Sequence, residues 1–575
     1  MDARLVLIRD RPQIDAGRLL LVAPAYLTAA AVLLLLGTTL WISLRTGLPV
    51  ETTPLSLENY QKALADPFTY TMLLNTLIFA AVTLATVAIF AIPLAILMER
   101  TDMPFKRLFE ILISLKILIP TFLAAMGWIL LLSPRNGVIN VWLMNLLGTE
   151  TALFSIYSVP MMGLLQGLGF TPVAYFMVAA AFRSIDPALE QASRCSGAGT
   201  LETILRVTLP TTLPATVAAF IFVFTLAFAV FEIPAIIGAP LGIFVFSTAI
   251  YSATHPTFGL PNYGLAGAYG SIVLVLGLLL SCLYFRILRA SHKYAVVTGK
   301  GYRPVMIELG KWKWLALAFM ALYLAPALLL PFLALVWTSV TPFLQVPSMQ
   351  AFSTISFSRY LNVRDFLTLQ PALNTLFLVL IAPTITMILS STISWLVVKT
   401  RMPGRQLLDT AAFLPHTTPS IVFAVSLSFL ALIFREYVPI YGTITIILVA
   451  HVITFVSFGT RTLNGVLVQL HPELEEAARM AGASVLNTFR NITVPLVRHA
   501  VLNGWIWLAL LSFREVTTAI TLRTSEANSV LAAQIWGLWA SGLVPEAAVL
   551  GVMIFFAMTG FVALARGIGG RVVDR

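Results

Sequence analysis

Apolar runs of about 20 residues or more, separated by short polar stretches, recur along the whole chain, and an α-helix of that length crosses a bilayer. Twelve such runs stand at 19–44, 72–98, 108–132, 157–182, 213–238, 267–290, 313–340, 372–398, 407–433, 440–463, 499–522 and 545–567. In hydrocarbon each backbone polar group must be satisfied within its own segment, so these runs are expected as helices. The run at 138–147 is too short to cross and is expected as a surface helix. The pattern predicts an all-α polytopic membrane protein.

The polar stretches carry a second pattern. Residues 186–210 read DPALEQASRCSGAGTLETILRVTLP, and residues 471–495 read HPELEEAARMAGASVLNTFRNITVP. Aligned without a gap, Pro187 meets Pro472, Glu190 meets Glu475, Arg194 meets Arg479, Gly197 meets Gly482 and Pro210 meets Pro495, each pair 285 positions apart. The likeness continues elsewhere. Asn75-Thr76-Leu77 opens one span and Asn374-Thr375-Leu376 another, while RTDMP (100–104) and KTRMP (399–403) close them, both 299 positions apart. Tyr60 and Tyr360 precede these units. The offset falls from 299 to 285, which places a longer external segment around 133–156 in the first half. Two parallel six-span repeats follow, at 1–290 and 313–575, joined by a polar linker at 291–312. An axis along the membrane normal relates such repeats, with a pathway expected between them.

Within each polar loop the local signals agree. Pro187 and Pro472 suit the first turn of a helix; Asp186 is a good N-cap, and His471 a weaker one. Gly197 and Gly482 suit a helix stop. A second short helix is expected next, with Pro210 or Pro495 introducing the following span. A helix–turn–helix with small Ala and Ser residues, presented twice outside the bilayer, suits docking to a two-fold partner. The plainer alternative is a pair of solvated loops punctuated by Gly and Pro, and registry over so long a stretch argues against it.

Composition narrows the class further. The chain is 59% hydrophobic and 11% charged, with a mean hydropathy of +0.91, which excludes a string of soluble domains. The net charge of +11 reads as membrane orientation rather than nucleic-acid binding. With the N-terminus cytoplasmic, about 27 of the 36 Lys and Arg fall on cytoplasmic segments. They include Arg4, Arg9, Arg11 and Arg18, and Lys293, Lys300, Arg303, Lys311 and Lys313 around the linker. The first run is too long, and lacks a fitting cleavage site, for a removable signal peptide. Two cysteines, Cys195 and Cys282, make a disulfide framework unexpected. Neither Gly299-Lys300-Gly301 nor Gly310-Lys311-Trp312 fits a phosphate-binding loop, so no ATPase is expected in this chain. The six His show no metal-ligand spacing and no nucleophilic triad, so neither a catalytic site nor a permanent metal is expected.

The twin loops resemble the EAA motif of permease subunits of ATP-binding cassette importers, Glu-Ala-Ala, three residues, Gly, then Ile-x-Leu-Pro. The second copy matches as Glu476-Ala477-Ala478, Gly482, Ile492 and Pro495, with Val494 for Leu. The first departs, with Gln191-Ala192-Ser193 and Val207, while Gly197, Leu209 and Pro210 hold. The resemblance implies the type I importer permease fold, with loop residues Glu190, Gln191, Ala192, Gly197, Glu475, Glu476, Ala477, Ala478 and Gly482 coupling to two separate ATPase subunits. Those subunits would bind ATP and Mg, leaving no cofactor in this chain. It also implies an extracytoplasmic substrate-binding protein and a bacterial-type inner membrane, with both termini cytoplasmic. Gln191 implies that the two docking sites are not equivalent.

Ionisable residues inside spans are costly and become functional candidates. Glu232, in FEIPAIIG, and Glu515, in FREVTTAITL, follow the two loops 283 positions apart, so they are expected to face each other across the pseudo-two-fold axis. Carboxylates there suit a cationic or metal-bearing cargo. The alternative is a pair of satisfied polar groups, with Arg514 paired to another helix, since adjacent residues do not share a helical face. These segments resemble the ferric-iron branch of the family; thiamine, polyamine and phosphonate permeases share much of the pattern. Lys116 and His416 occupy nearly matching places in the third and ninth spans. Lys116 is read either as snorkelling to the interface or as a gate or anion contact; His416 is read either as a satisfied buried imidazole or in the same gating role. Pro120 and Pro419, 299 positions apart, are expected to kink these spans. A secondary transporter with six plus six spans would need a G-x-x-x-D-R-x-G-R loop, which ERTDMPFKR (99–107) does not match. A receptor-type or structural membrane protein leaves the duplicated loop unexplained.

Overall fold

A computed structural model describes residues 16–47, 51, 53–291, 306–471 and 473–573. Arg4, Arg9, Arg11, Lys293, Lys300, Arg303 and Pro472 lie outside them. The described secondary structure is helical apart from two isolated bridges. In the first half the elements used below are α1 (Ala16–Ser43), α2 (Pro67–Arg100), α3 (Lys106–Leu118), α4 (Thr121–Leu132), α5 (Val159–Arg183), α6 (Pro187–Cys195), α7 (Thr200–Leu241, interrupted at 230–231) and α8 (Tyr263–Ser291). In the second they are α9 (Gly310–Val340), α10 (Leu369–Lys399), α11 (Arg405–Thr417), α12 (Ser420–Ile433), α13 (Ile444–Leu467), α14 (Glu473–Met480), α15 (Val485–Arg514) and α16 (Val544–Val573).

Ten described helices are long and apolar enough to cross a membrane, and the count reaches 12 if each of two bent pairs is one span. The bent pairs are the runs at 108–132 and 407–433, expected as kinked single spans. They are broken: α3 meets α4 at 96° and α11 meets α12 at 105°. The cause is local. Pro120 and Pro419 are extended (ψ 135° and 136°), as are Ile119 and Thr418 before them (ψ 122° and 129°). Proline lacks the amide, and it bars its predecessor from the helical region.

Pro210 and Pro495 behave in the opposite way. The second short helix does not stop before them; it runs straight into the span. A widened turn, Ile204–Thr208 in one half and Phe489–Thr493 in the other, lies just ahead of each proline. Such a turn relieves the clash of the proline ring with the preceding turn.

The two halves exchange their first spans. α1 packs on the second half, where Thr39 Oγ1 lies 2.8 Å from Ser426 Oγ and the Tyr26 hydroxyl donates to the Pro403 carbonyl at 3.0 Å. Leu21, Ala25 and Ala29 are buried there with Trp395 and Phe455. Reciprocally, α9 packs on the first half: the Tyr323 hydroxyl donates to the Leu168 carbonyl at 3.2 Å, and the Phe319 and Phe90 rings lie 5.7 Å apart. Gly127 on α4 has no room for a Cβ against the Pro331 carbonyl of α9. The sequence repeats are therefore interlocked rather than side by side.

The repeated Asn-Thr pair does the same work twice. Asn75 Nδ2 donates to the Phe244 carbonyl (3.0 Å), and Thr76 Oγ1 accepts from the Phe246 amide (3.1 Å). Asn374 Nδ2 donates to the Ala527 and Ser529 carbonyls (2.9 and 2.8 Å), and Thr375 Oγ1 accepts from the Leu531 amide (2.9 Å). In both halves this satisfies loop backbone that has no ladder of its own.

Candidate functional site

Both polar loops fold as a helix, a turn and a second helix. Asp186 caps α6 by accepting from the Ala188 amide at 2.9 Å, with Pro187 in the first turn. Gly197 and Gly482 adopt φ of +88° and +85° at the turns, a conformation open to glycine and costly to a residue with a Cβ. Ala192, Gly197, Glu476, Ala477 and Gly482 are exposed, Gln191 is half-buried, and Ala478 is buried.

Glu190 and Glu475 face the protein instead. Glu190 is buried, accepts from the Thr208 hydroxyl at 2.8 Å and forms an ion pair with Arg100 at 3.3 Å. Arg100, at the end of α2, also donates to the Phe182 carbonyl at 2.7 Å. Glu475 is buried too and accepts from the Thr493 hydroxyl at 2.8 Å, the counterpart of Thr208. Its other donor is the Trp395 indole, at 3.1 Å. Lys399, the counterpart of Arg100, donates to the Leu470 carbonyl at 2.6 Å. Each loop glutamate thus ties the loop to a long helix earlier in its own half, α2 or α10, and to the turn that leads into the following span. Arg100, Trp395 and the two threonines were not singled out from sequence. Arg100 is the one that carried a signal, as a charge ending an apolar run.

The surroundings of the loops differ. In the first half the chain at 306–309 lies along Arg100–Asp102: Ile307 N donates to the Arg100 carbonyl (2.8 Å), Asp102 N to the Ile307 carbonyl (3.0 Å), and Leu309 N to Asp102 Oδ1 (2.8 Å). In the second half a cavity of about 930 Å³ adjoins Lys399, Arg401, Arg405, Glu475 and Glu476.

Between the halves lies a cavity of about 440 Å³ that gathers all five span residues singled out from sequence, Lys116, Glu232, His416, Arg514 and Glu515. The broken helices build it. Glu232 lines it together with Thr121, at the start of α4. Glu515 is held at the start of α12 by the Ser420 hydroxyl at 3.4 Å and, on its own chain, by the Thr518 amide at 2.9 Å. A helix N-terminus has spare amides and a partial positive charge, so Glu515 sits where an anion is favoured. Arg514 crosses between halves: Nη1 donates to the Ile117 carbonyl at 2.7 Å, near the end of α3, and Nη2 lies 3.5 Å from Thr121 Oγ1. The expected pairing of Arg514 with another helix is therefore present, with a carbonyl as its main partner.

Of the two readings left open for Lys116 and for His416, the plainer one does not fit the geometry. Lys116 does not snorkel out; it is 4% exposed and lines the cavity, because the break at Pro120 turns the end of α3 inward. His416 is not a satisfied imidazole: it stacks on Phe222 at 4.4 Å, while its Nε2 is buried without a hydrogen-bond partner. Gln166 and Thr454, which line the same space, passed unnoticed in the sequence because single neutral polar residues are common in spans. Among the described residues no group of three His, Cys, Asp or Glu is placed to hold a metal.

Comparison with known proteins adds a lineage to this geometry. The family model described as "binding-protein-dependent transport system inner membrane component" matches residues 91–292 and again 393–575, leaving out both exchanged first spans. The chain is 23% identical over 424 residues to the ferric transport system permease protein FbpB of Actinobacillus pleuropneumoniae, covering 72% of this chain but only 59% of that relative's length. It is 22% identical over 483 residues to the Fe(3+)-transport system permease protein FbpB 2 of Haemophilus influenzae, covering 83% of this chain and 85% of the relative. Over 119 residues it is 34% identical to the sulfate transport system permease protein CysT of Salmonella typhimurium, covering 19% and 43%.

Proposed function

Because the chain belongs to the binding-protein-dependent transport system inner membrane component family, we propose that it carries ferric iron through the cavity between its halves, driven by two separate ATPase subunits on the twin loops. It is a multi-pass membrane protein, an importer permease rather than an enzyme of its own. Relatives named for ferric transport support the cargo.

One observation carries the coupling. The buried glutamates Glu190 and Glu475 bind each loop to α2 or α10 of its own half and to the span after it. The following spans lead toward Glu232 and Glu515, so a push on the exposed Ala192 or Glu476 face passes along rigid helices to the cavity. ATP and Mg belong to the ATPase, and a binding protein on the opposite membrane face delivers the cargo. Both termini then lie on the ATPase side.

The test is a gentle pull-down of the tagged chain from native membranes, with metal analysis of any captured binding protein. An ATPase together with an iron-loaded binder is the expected result. Charge reversal at the exposed Glu476 should lower ATPase recovery. Absence of any ATPase under several mild detergents would overturn the coupling role, and a metal-free binder would move the cargo away from iron.

A further inference from the structure

Four buried side-chain atoms around the inter-half cavity have no hydrogen-bond partner: Gln166 Oε1, Glu232 Oε2, His416 Nε2 and Thr454 Oγ1. Gln166, His416 and Thr454 are only 1%, 8% and 8% exposed. Buried polar atoms are almost always paired, and leaving one unpaired is costly. Two of the four come from each half, so they surround the space rather than marking one badly packed helix. The Gln166 and Glu232 oxygens only accept, His416 Nε2 accepts in its Nδ1–H tautomer, and the Thr454 hydroxyl can donate or accept. Such a ring is completed by a ligand that brings its own donors.

The same cavity is poorly built for a bare trivalent ion. A hard cation wants a nearly full shell of oxygen ligands, and the described residues offer no cluster of three ligating side chains. Glu515 Oε1 is already engaged by Thr518 and Ser420. Lys116 and Arg514 line the space and repel added positive charge, strongly so away from water. Much of the remaining wall is aromatic, with Phe170, Phe222, Phe455 and Phe458. Apolar walls with a few convergent polar groups suit an organic surface.

Resting on the ferric reading above, we propose that iron occupies this cavity inside a small hydroxycarboxylate chelate rather than as the bare ion. The chelator's hydroxyl is spent on the metal, so protonated outer carboxyl groups of the chelate donate to Gln166 Oε1, Glu232 Oε2 and His416 Nε2. Outward carboxylate oxygens meet Lys116, Arg514 and the Thr454 hydroxyl, and ligand methylenes lie on the aromatic rings. The metal's own shell is filled by the chelator. Gln166 and Thr454 become specificity residues, reading the organic shell.

The experiment is dual-label uptake. Cells carrying the full chain with its own ATPase and binding protein are offered radioactive iron in excess radiocarbon-labelled citrate, and cells lacking only this chain give the background. Both labels should enter together in a fixed ratio. Gln166→Leu and Thr454→Val should each lower both labels about tenfold, with the variant still in the membrane and still holding its ATPase. Entry of iron without carbon overturns the chelate and leaves the ferric reading standing. Entry of neither label, from membranes in which the ATPase still co-purifies, overturns the ferric reading together with the chelate. Unchanged uptake in both variants overturns the roles given to these two residues.

Discussion

Arg100 Nε stands 3.3 Å from Glu190 Oε1, and the two side chains are only 4% and 10% exposed, so the end of α2 and the first polar loop share one buried charge pair. The second half solves the same problem without an ion pair, since Glu475 takes its hydrogen bonds from the Trp395 indole and the Thr493 hydroxyl. Asymmetry between the loops therefore reaches below the Gln191 difference on their surface.

Glu190→Gln and Glu475→Gln should consequently differ in cost. Removing the Glu190 charge leaves Arg100 buried without its counter-ion, a loss of about 3 kcal/mol. A glutamine at position 475 can still accept from neutral donors, and the loss there should stay within about 1 kcal/mol. Thermal melting of the full chain in detergent compares the two directly. Equal shifts would contradict the distinction drawn between the loops.

Gly482 offers a cleaner probe of the turn than of packing. Its φ is +85°, and an added Cβ would meet nothing within 4 Å. Substitution cost then comes from backbone strain alone, about 1–2 kcal/mol for a β-branched residue. Asparagine tolerates this conformation better. Gly482→Val should weaken ATPase recovery in the pull-down while Gly482→Asn largely keeps it. Equal recovery from both variants would show that the left-handed turn is dispensable for docking.

Much of this was legible in the sequence, and the parts that were not share a cause. The fixed offset between Glu190 and Glu475 revealed the loops, the Asp186 cap and the left-handed glycines, because caps and turns are local. Which way Glu190 points depends on where α6 docks, a long-range fact that no helical period contains. Hydropathy runs unbroken through Pro120 and Pro419, so it conceals two right-angle breaks. The exchange of α1 and α9 was also hidden, since apolar pattern says that a helix is buried but not against which partner. Sequence left two readings open for Lys116 for the same reason: the break decides where the end of α3 goes.

The exchanged packing can be tested at Gly127, where a Cβ would overlap the backbone carbonyl of Pro331. Neither α4 nor α9 can yield by turning a side chain, so Gly127→Ala forces the helices apart. Overpacking of this kind costs about 1–3 kcal/mol. By contrast Gly169 and Gly465 have open space around a Cβ, and alanine there should leave melting unchanged. A Gly127→Ala protein as stable as these controls would refute the tight contact between α9 and the first half.

Arg514 supplies the sharpest test of how the cavity balances its charges. It reaches across the interface to the Ile117 carbonyl and shares the cavity with Glu232. Arg514→Met removes both the tie between halves and a positive charge facing Glu232 across the cavity, and it should cost about 1.5–3 kcal/mol. Part of that loss belongs to Glu232, left without its counter-charge, and not to the missing hydrogen bond. Adding Glu232→Gln should therefore recover stability in the Arg514→Met background, whereas the same change alone should lower it, leaving Arg514 and Lys116 without an acid opposite them. Melting of the two single variants and the double variant forms a complete cycle. A double variant no more stable than Arg514→Met would mean that the arginine acts only through Ile117, as a strap between halves, and that the acid is neutralised by something else. Recovery of stability without recovery of uptake would separate folding from passage and leave the passage role with the two charges together.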